Sequence, residues 1–418
     1  MIISQDLKQL TALLFCLIFF QVFSGCMKGD SSGIPAHIAG TENLVILADD
    51  PAPLFQFHLE FEYVFEDSLL LDEISSVLTD THGRLFLAGE RWSKRQVHIF
   101  EPDGTYRDSL GNKGKDFGEF QSIDRMQILD NHLIIFDETL SRITRYHLGA
   151  RSWADTTSVK AGLNHSNGPD LERFTPLPAA VFDDGSSLFA FRKKRNPAYE
   201  PDGIVQFYRS GSEGTINPEK LMELRDTFYL VGDYAGRPAP FTLKIPERPL
   251  FEKSVSGDLY FAHTDEFFIR MLNRDGEQKA AFYYPYERKQ LDPDEVIHPR
   301  FSHNDQLLRI RNSAEYPETW PALYSMVPDD ENRLWISTIT DNRSELEWWV
   351  LDIRTGTVLT RFTWPFSRSI RHISNGSVYT VEQNSMGFSV VVKYSFTAEY
   401  TKSSGENQIT QMNQGFEE

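Results

Sequence analysis

Six short segments of this 418-residue chain share one pattern, a turn residue followed by alternating apolar residues. They are "GRLFLAGE" (Gly83–Glu90), "NHLIIFDE" (Asn131–Glu138), "GSSLFAFR" (Gly185–Arg192), "GDLYFAHT" (Gly257–Thr264), "NRLWISTI" (Asn332–Ile339) and "GSVYTVEQ" (Gly376–Gln383). Each follows a second apolar stretch, such as "ISSVLTD" or "MQILD", and precedes a third, such as "QVHIFEPDG" or "WWVLDIRTG". Most then turn through Asp-Gly, Ser-Gly or Thr-Gly into a fourth, as in "TVLTRFTW". Glycine accepts positive φ, so these pairs read as hairpin turns. The unit is therefore a four-stranded antiparallel meander. A lone meander cannot cover both its faces, but six arranged radially pack on one another and leave few edges. The pattern predicts an all-β fold, a six-bladed β-propeller. Thirty-one Phe and 16 Tyr agree with it, because aromatic side chains suit pleated, half-buried surfaces.

The sixth repeat stops after its third strand, near Phe396. "LFQFHLEFEYVFED" (Leu54–Asp67) alternates well and precedes the first repeat. It is predicted to pair beside Phe388–Phe396 as the missing outer strand, so that an N-terminal strand completes the last blade. The propeller then spans 43–400, with long insertions between blades at about 217–249 and 285–321 and a polar, disordered tail at 401–418.

The first residues have another purpose. Lys8 precedes an apolar run, Leu10–Phe23, which ends in Ser24-Gly25-Cys26. This is the shape of a secretory signal. The small residues before Cys26 resemble the lipobox of bacterial lipoproteins, with Phe23 where Leu is usual. The resemblance implies cleavage before Cys26, which then carries diacylglycerol. Residues 1–25 are the expected signal and 26–42 a Gly/Ser-rich flexible tether. Cys16 and Cys26 are the only cysteines, so the mature domain is expected to have no free thiol, disulfide or Cys metal site. The formal net charge of −18 argues against nucleic acid as a partner, and membrane attachment is expected through lipid alone.

Between the first and second repeats lies "LGNKGKDFGEFQSID" (Leu110–Asp124). A phosphate-binding loop would lead into a helix N-terminus; here a strand, a turn and a strand follow, and no Gly-Lys-Ser/Thr occurs. The stretch resembles the "G-x-x-G-x-G-x-G-E-F" connection of the NHL-like six-bladed propellers common in Bacteroidetes lipoproteins. Gly111, Gly114, Gly118, Glu119 and Phe120 carry the likeness, with Asp116-Phe117 where the family more often has Gly-Pro. The resemblance implies a Gram-negative cell envelope, most often the outer membrane. It also implies that the glycines let the chain cross its neighbour closely while Phe120 wedges between blades.

In such a meander the D–A and B–C connections emerge on one face and the A–B and C–D turns on the other. The long insertions are D–A connections, and the B–C loops Glu90–Gln96 and Arg192–Gly203 also read as enlarged. Binding tends to reside in loops on a rigid scaffold, so this face is the expected binding face. It carries Arg91, Trp92, Lys94 and Arg95, then Lys193, Lys194 and Arg195, then Arg300, His303, Arg309 and Arg311. In an acidic chain these imply an anionic partner, an envelope protein or a glycan; the plainer reading is ordinary solvated loop charge. Pro293–Asn312 reads as a short helix after Pro299, with Phe301, Leu307 and Leu308 packing down, either a lid or decoration. Among Trp320, Trp335, Trp348, Trp349 and Trp364, core packing is expected for Trp335 and for one of Trp348 and Trp349, since neighbours on a strand face opposite ways.

Six-bladed propellers also include calcium-dependent lactonases, whose ligands come from the inner strands. Glu73, Asp124 and Glu252 lie near inner-strand starts, but so do Arg125, Lys253, Arg371 and His372. This mixture reads as salt-bridged filling, and no nucleophile or metal-ligand motif occurs. Neither catalytic residues, a metal nor a cofactor is expected. A metal-dependent hydrolase in the central channel is the alternative function.

Overall fold

The computed structural model describes residues 33–48, 54–65, 69–91, 94–158, 169–211, 215–296 and 304–400. The signal sequence, Cys26 and the C-terminal tail lie outside them. The chain divides into two units at Thr41. The first contributes a one-turn helix, Ala36–Ala39, with Pro35 at its N-cap.

The second unit is a ring of six four-stranded antiparallel blades. In strand order A to D, blade one is Glu73–Thr79, Leu85–Arg91, Lys94–Phe100 and Tyr106–Leu110. Blade two is Arg125–Leu129, His132–Asp137, Arg142–His147 and Ser152–Ser158. Blade three is Phe174–Val181, Ser187–Lys193, Ile204–Ser210 and Ile216–Arg225. Blade four is Pro249–Lys253, Leu259–His263, Phe268–Leu272 and Gln278–Tyr283, and blade five is Leu323–Pro328, Arg333–Ile339, Glu345–Asp352 and Thr357–Pro365. Blade six takes strands A to C from Ser369–Ser374, Ser377–Gln383 and Ser389–Tyr400. Its strand D is Phe55–Val64, in a register that sets Phe55 opposite Tyr400, Leu59 opposite Phe396 and Val64 opposite Val392. The predicted closure is present, and the third strand of blade six runs four residues past Phe396. Blade four carries a fifth, parallel strand, Leu44–Ile46, on its outer edge; three apolar residues without alternation give no sequence signal for it.

Inner strands link the ring. The Met126 amide donates to Ser76 Oγ at 3.2 Å, and Gln127 and Val181 exchange two hydrogen bonds at 2.8 and 3.1 Å. Arg248 donates to the Tyr324 carbonyl at 3.1 Å, and between neighbouring A–B turns the Asn375 amide donates to Asp330 at 2.8 Å. The inner edge of strand A faces the channel and has no ladder partner, so blade three tolerates Pro176 and Pro178 there. Tight A–B turns repeat one device. Asp80 accepts from the His82 and Arg84 amides, and Asp329 from those of Glu331 and Arg333. Each aspartate also pairs with the arginine, which satisfies turn amides that no ladder reaches.

Apolar side chains fill the spaces between adjacent blades. One such layer, between blades five and six, holds Trp335, Trp348, Val378 and Val392; the next, between four and five, holds Trp349, Ile336, Tyr260 and Phe282. The alternation rule holds, since Trp348 and Trp349 do face opposite ways. Yet both are fully buried, as are Trp320 and Trp335. A blade inside the ring has no solvent face, so opposite faces are both core.

Two boundaries differ from the sequence reading. The first insertion begins only after Arg225, because Ile216–Arg225 is strand D of blade three. Pro218, two register shifts and a mostly exposed face hide it as a strand. The loop expected at Glu90–Gln96 is a tight hairpin: Glu90 pairs with Arg95 and Arg91 with Lys94 across the ladder. Its polar residues extend two paired strands instead of a loop.

Candidate functional site

The linker Leu110–Asp124 is built as its residues imply. Gly111 and Gly118 both sit at φ +81°, where L side chains are strained. A Cβ on Gly111 would lie 2.6 Å from the Phe120 ring, and one on Gly118 2.6 Å from Trp153 Nε1. Phe120 is fully buried among Leu78, Phe86, Leu133 and Tyr146, wedged between blades one and two. The organiser of this linker is a residue that sequence reasoning missed. Arg142, 6% exposed, donates to the carbonyls of Lys115 and Glu119 and lies over the Phe120 ring, with its centre 5.8 Å away. Buried Asp137 beside it accepts from the Gln121 and Leu140 amides and the Ser122 hydroxyl. Nothing in strand C of blade two marks Arg142 as different from a solvated arginine.

The two long insertions fold against one another. The first forms a hairpin, Leu230–Tyr234 with Arg237–Phe241. The second contributes the helix Asp305–Ser313, capped by Asn304, whose side chain accepts from the Leu307 amide at 3.1 Å. The Asp233 amide donates to Ser313 Oγ at 2.6 Å, and Gly232 lies so close to Ile310 that no Cβ fits. Ile310, Val296, Leu230, Phe241 and Trp320 share the layer of blades five and six. The predicted helix is real. Leu307 packs down in part, the buried anchor is Ile310, and Phe301 lies outside the described residues. One consolidated cap therefore stands on the D–A face.

The predicted cations do not gather into a free cluster. Arg95 pairs with Glu90 at 3.1 Å and Lys193 with Glu200 at 3.6 Å. Arg195 is buried to 3% side-chain exposure; it reaches Asp226 at 3.4 Å and donates to the carbonyls of Glu200 and Thr227, both at 2.9 Å. Arg311 pairs with Asp294 at 3.6 Å. Arg309 is exposed on the helix. The side chain of Arg91 and all of Trp92, Arg300 and His303 lie outside what is described. Among the described residues Arg95, Lys193, Arg195 and Arg311 thus hold carboxylates of the fold, a role that needs three-dimensional partners and leaves no trace in residue type.

At the channel, Arg125 of blade two reaches Glu252 of blade four, two blades away, at 2.9 Å, and also donates to the Phe251 carbonyl. This is the mixed-sign filling expected of those positions. Burial and then the carboxylate of Asp124 raise the Glu138 pKa, while burial lowers those of Arg248 and Lys253. Burial lowers His372 to about 4, so it is neutral near pH 7. Asp124 Oδ2 accepts from the Ser122 hydroxyl and from the Glu138 amide. Among the described residues no group of three or more His, Cys, Asp or Glu side chains comes together as a metal site.

Residues 42–165 match a family model described as DUF5128, 6-bladed beta-propeller. That stretch covers the parallel edge strand, the closing strand, blades one and two and the glycine linker. No curated protein matches the chain. Among solved structures, a member of the DUF4221 family from Bacteroides vulgatus is 8% identical, covering 83% of this chain and 99% of its own, with a TM-score of 0.49. A protein of Bacteroides fragilis named as exported is 10% identical over 86% of this chain and 100% of its own, at 0.45. The virginiamycin B lyase of Staphylococcus aureus is 10% identical over 81% and 99%, at 0.39. With its six blades counted and residues 42–165 matched by that family model, this chain is a six-bladed β-propeller.

Proposed function

We propose that this propeller is lipid-anchored in the cell envelope, at the outer membrane, and acts without catalysis as a binding or scaffold module for a protein or glycan through its D–A and B–C face. The observation that carries the reading is the cap: two insertions far apart in sequence consolidate into one hairpin-and-helix body on that face. Rigid elements that do not complete a blade, on the same face as the exposed Tyr199 of the third B–C loop, form a surface suited to recognition. The anchor rests on Leu10–Cys26. An anionic partner is the weaker part of the proposal, because Arg95, Lys193, Arg195 and Arg311 already hold carboxylates. The channel reading, a metal-dependent hydrolase, draws little from an axis where Arg125 engages Glu252. The test is photo-crosslinking in the native envelope from probes at Tyr199 and Arg309. A discrete adduct from both positions supports the reading. Adducts only from probes on the A–B and C–D turns would move the binding face, and turnover of a lactone or ester by the purified chain would replace binding with catalysis.

A further inference from the structure

A three-residue strand fixes the end of blade four at which the chain enters the propeller. Leu44–Ile46 runs parallel to strand D of blade four, with Leu44 opposite Ala281 and Ile46 opposite Tyr283. Strand D leaves the C–D turn at Gln278 and ends at the D–A connection. A parallel neighbour runs the same way, so Glu42 and Asn43 enter at the C–D end. Three hydrogen bonds fix that entry. Ala281 N donates to the Asn43 carbonyl at 3.1 Å, Asn43 Nδ2 to the Gln278 carbonyl at 3.3 Å, and the Gln278 amide group to the Glu42 carbonyl. The chain therefore joins the propeller from the face of short A–B and C–D turns, opposite the cap.

We propose that the capped D–A and B–C face is turned away from the bilayer, with the A–B and C–D turns toward the lipid. The proposal rests on the lipid-anchor reading above. From Cys26 to Glu42 the chain has 42 − 26 = 16 residue steps. At flexible-coil scaling such a tether spans roughly 20–24 Å, and the helical turn Ala36–Ala39 within it adds no length to that. A six-residue strand alone is about 20 Å long. To bring the capped face to the lipid, the tether would have to climb the blade and then clear the rim. With the C–D face toward the lipid it has only to leave its entry point. The same geometry keeps Tyr199 and the helix Asp305–Ser313 clear of the headgroups.

The mature chain suits a direct measurement, because Cys26 is expected to carry lipid and Cys16 to leave with the signal. Single cysteines are introduced on opposite faces of the full-length, lipidated protein. Val255→Cys (82% exposed) and Glu331→Cys lie in A–B turns; Tyr199→Cys (69% exposed) and Asp341→Cys lie in B–C loops. Each is labelled with a thiol fluorophore and bound to phosphatidylcholine vesicles containing a nitroxide-headgroup lipid. Quenching is expected to be several-fold stronger at Val255→Cys and Glu331→Cys. Equal or reversed quenching on a vesicle-bound chain overturns the orientation alone. Labelling of the unsubstituted chain, or failure to bind vesicles, overturns the anchor and the orientation together. Two positions on each face guard against one variant that folds poorly.

Discussion

Nε2 of His372 accepts a hydrogen bond from the backbone amide of Thr79 at 3.1 Å, joining the inner strands of blades six and one across 293 residues of sequence. The Thr79 hydroxyl lies 2.9 Å from the same nitrogen. An amide can only donate, so Nε2 must be unprotonated for this contact to exist. Burial agrees, pushing the imidazole from 6.5 down to about 4. A lowered folded-state pKa means that the unfolded chain binds the proton more readily. The stabilisation is complete above about pH 6.5 and is lost as pH falls toward 4. A shift of that size corresponds to up to about 3 kcal/mol. Urea unfolding at pH 7 and at pH 4.5 should therefore show a smaller acid-induced loss for His372→Gln, whose side-chain carbonyl can accept from Thr79 without titrating. Parallel losses in the two proteins would remove His372 from the seam's pH dependence.

The other closure, between the chain ends, predicts a contrast within one strand. Phe57 packs on Trp335 and Phe396, with ring centroids 5.5 Å from each. Phe61, four residues along, is 60% exposed, with its ring centroid 6.2 Å from that of Tyr394. Phe57→Ala should cost on the order of 2–3 kcal/mol by denaturant unfolding, and Phe61→Ala under about 1 kcal/mol. Equal losses would mean that strand pairing rather than the aromatic contact holds the seam.

These two seams show what could be read in advance. Strand Phe55–Val64 was legible because its period of two and the unfinished sixth repeat pointed to the same vacancy. The Phe120 wedge was legible because glycines at fixed spacing demand close approach. Arg142 and Asp137 were not, since a buried ion pair and a surface one use the same letters; only burial separates them. The same ambiguity governs the candidate site. Arg195 and Arg309 look alike in a basic loop, but one is enclosed by Asp226, Thr227 and Tyr229 and the other is exposed. The cap was legible as two long insertions, not as one body, because Gly232 against Ile310 is a contact between segments that no local pattern connects.

Glycines at equal φ but in different surroundings separate backbone strain from crowding. Gly111 (φ +81°) would set a Cβ 2.6 Å from the Phe120 ring, whereas Gly236 (φ +77°), in the cap hairpin, has nothing within 4 Å. Gly236→Ala should lose about 1–2 kcal/mol, the left-handed penalty alone. Gly111→Ala should lose that and a further 1–3 kcal/mol or so for overpacking. A thermal or urea midpoint no lower for Gly111→Ala than for Gly236→Ala would show that the linker gives way and that Phe120 is not held by it.

The two arginines give the test that separates folding from recognition on the capped face. Arg195 holds the chain after blade three through Asp226, itself 8% exposed, and its guanidinium lies 5.5 Å from the Tyr229 ring centre. Arg195→Ala leaves that carboxylate with Arg192, at 3.3 Å, as its remaining cation. The expected loss is about 3 kcal/mol, the usual scale when one partner of a buried pair is removed. Arg195→Lys should restore little of it, because an ammonium cannot reach Asp226 and two carbonyls with a planar fork. Arg309→Ala should change stability by less than about 0.5 kcal/mol and instead weaken crosslinking to a partner seated on the helix. Unfolding midpoints and adduct yield, measured on the same preparations, decide the matter. Should Arg195→Ala keep its midpoint and lose its adduct, Arg195 belongs to the binding surface after all, and the ion pair with Asp226 is incidental to the fold.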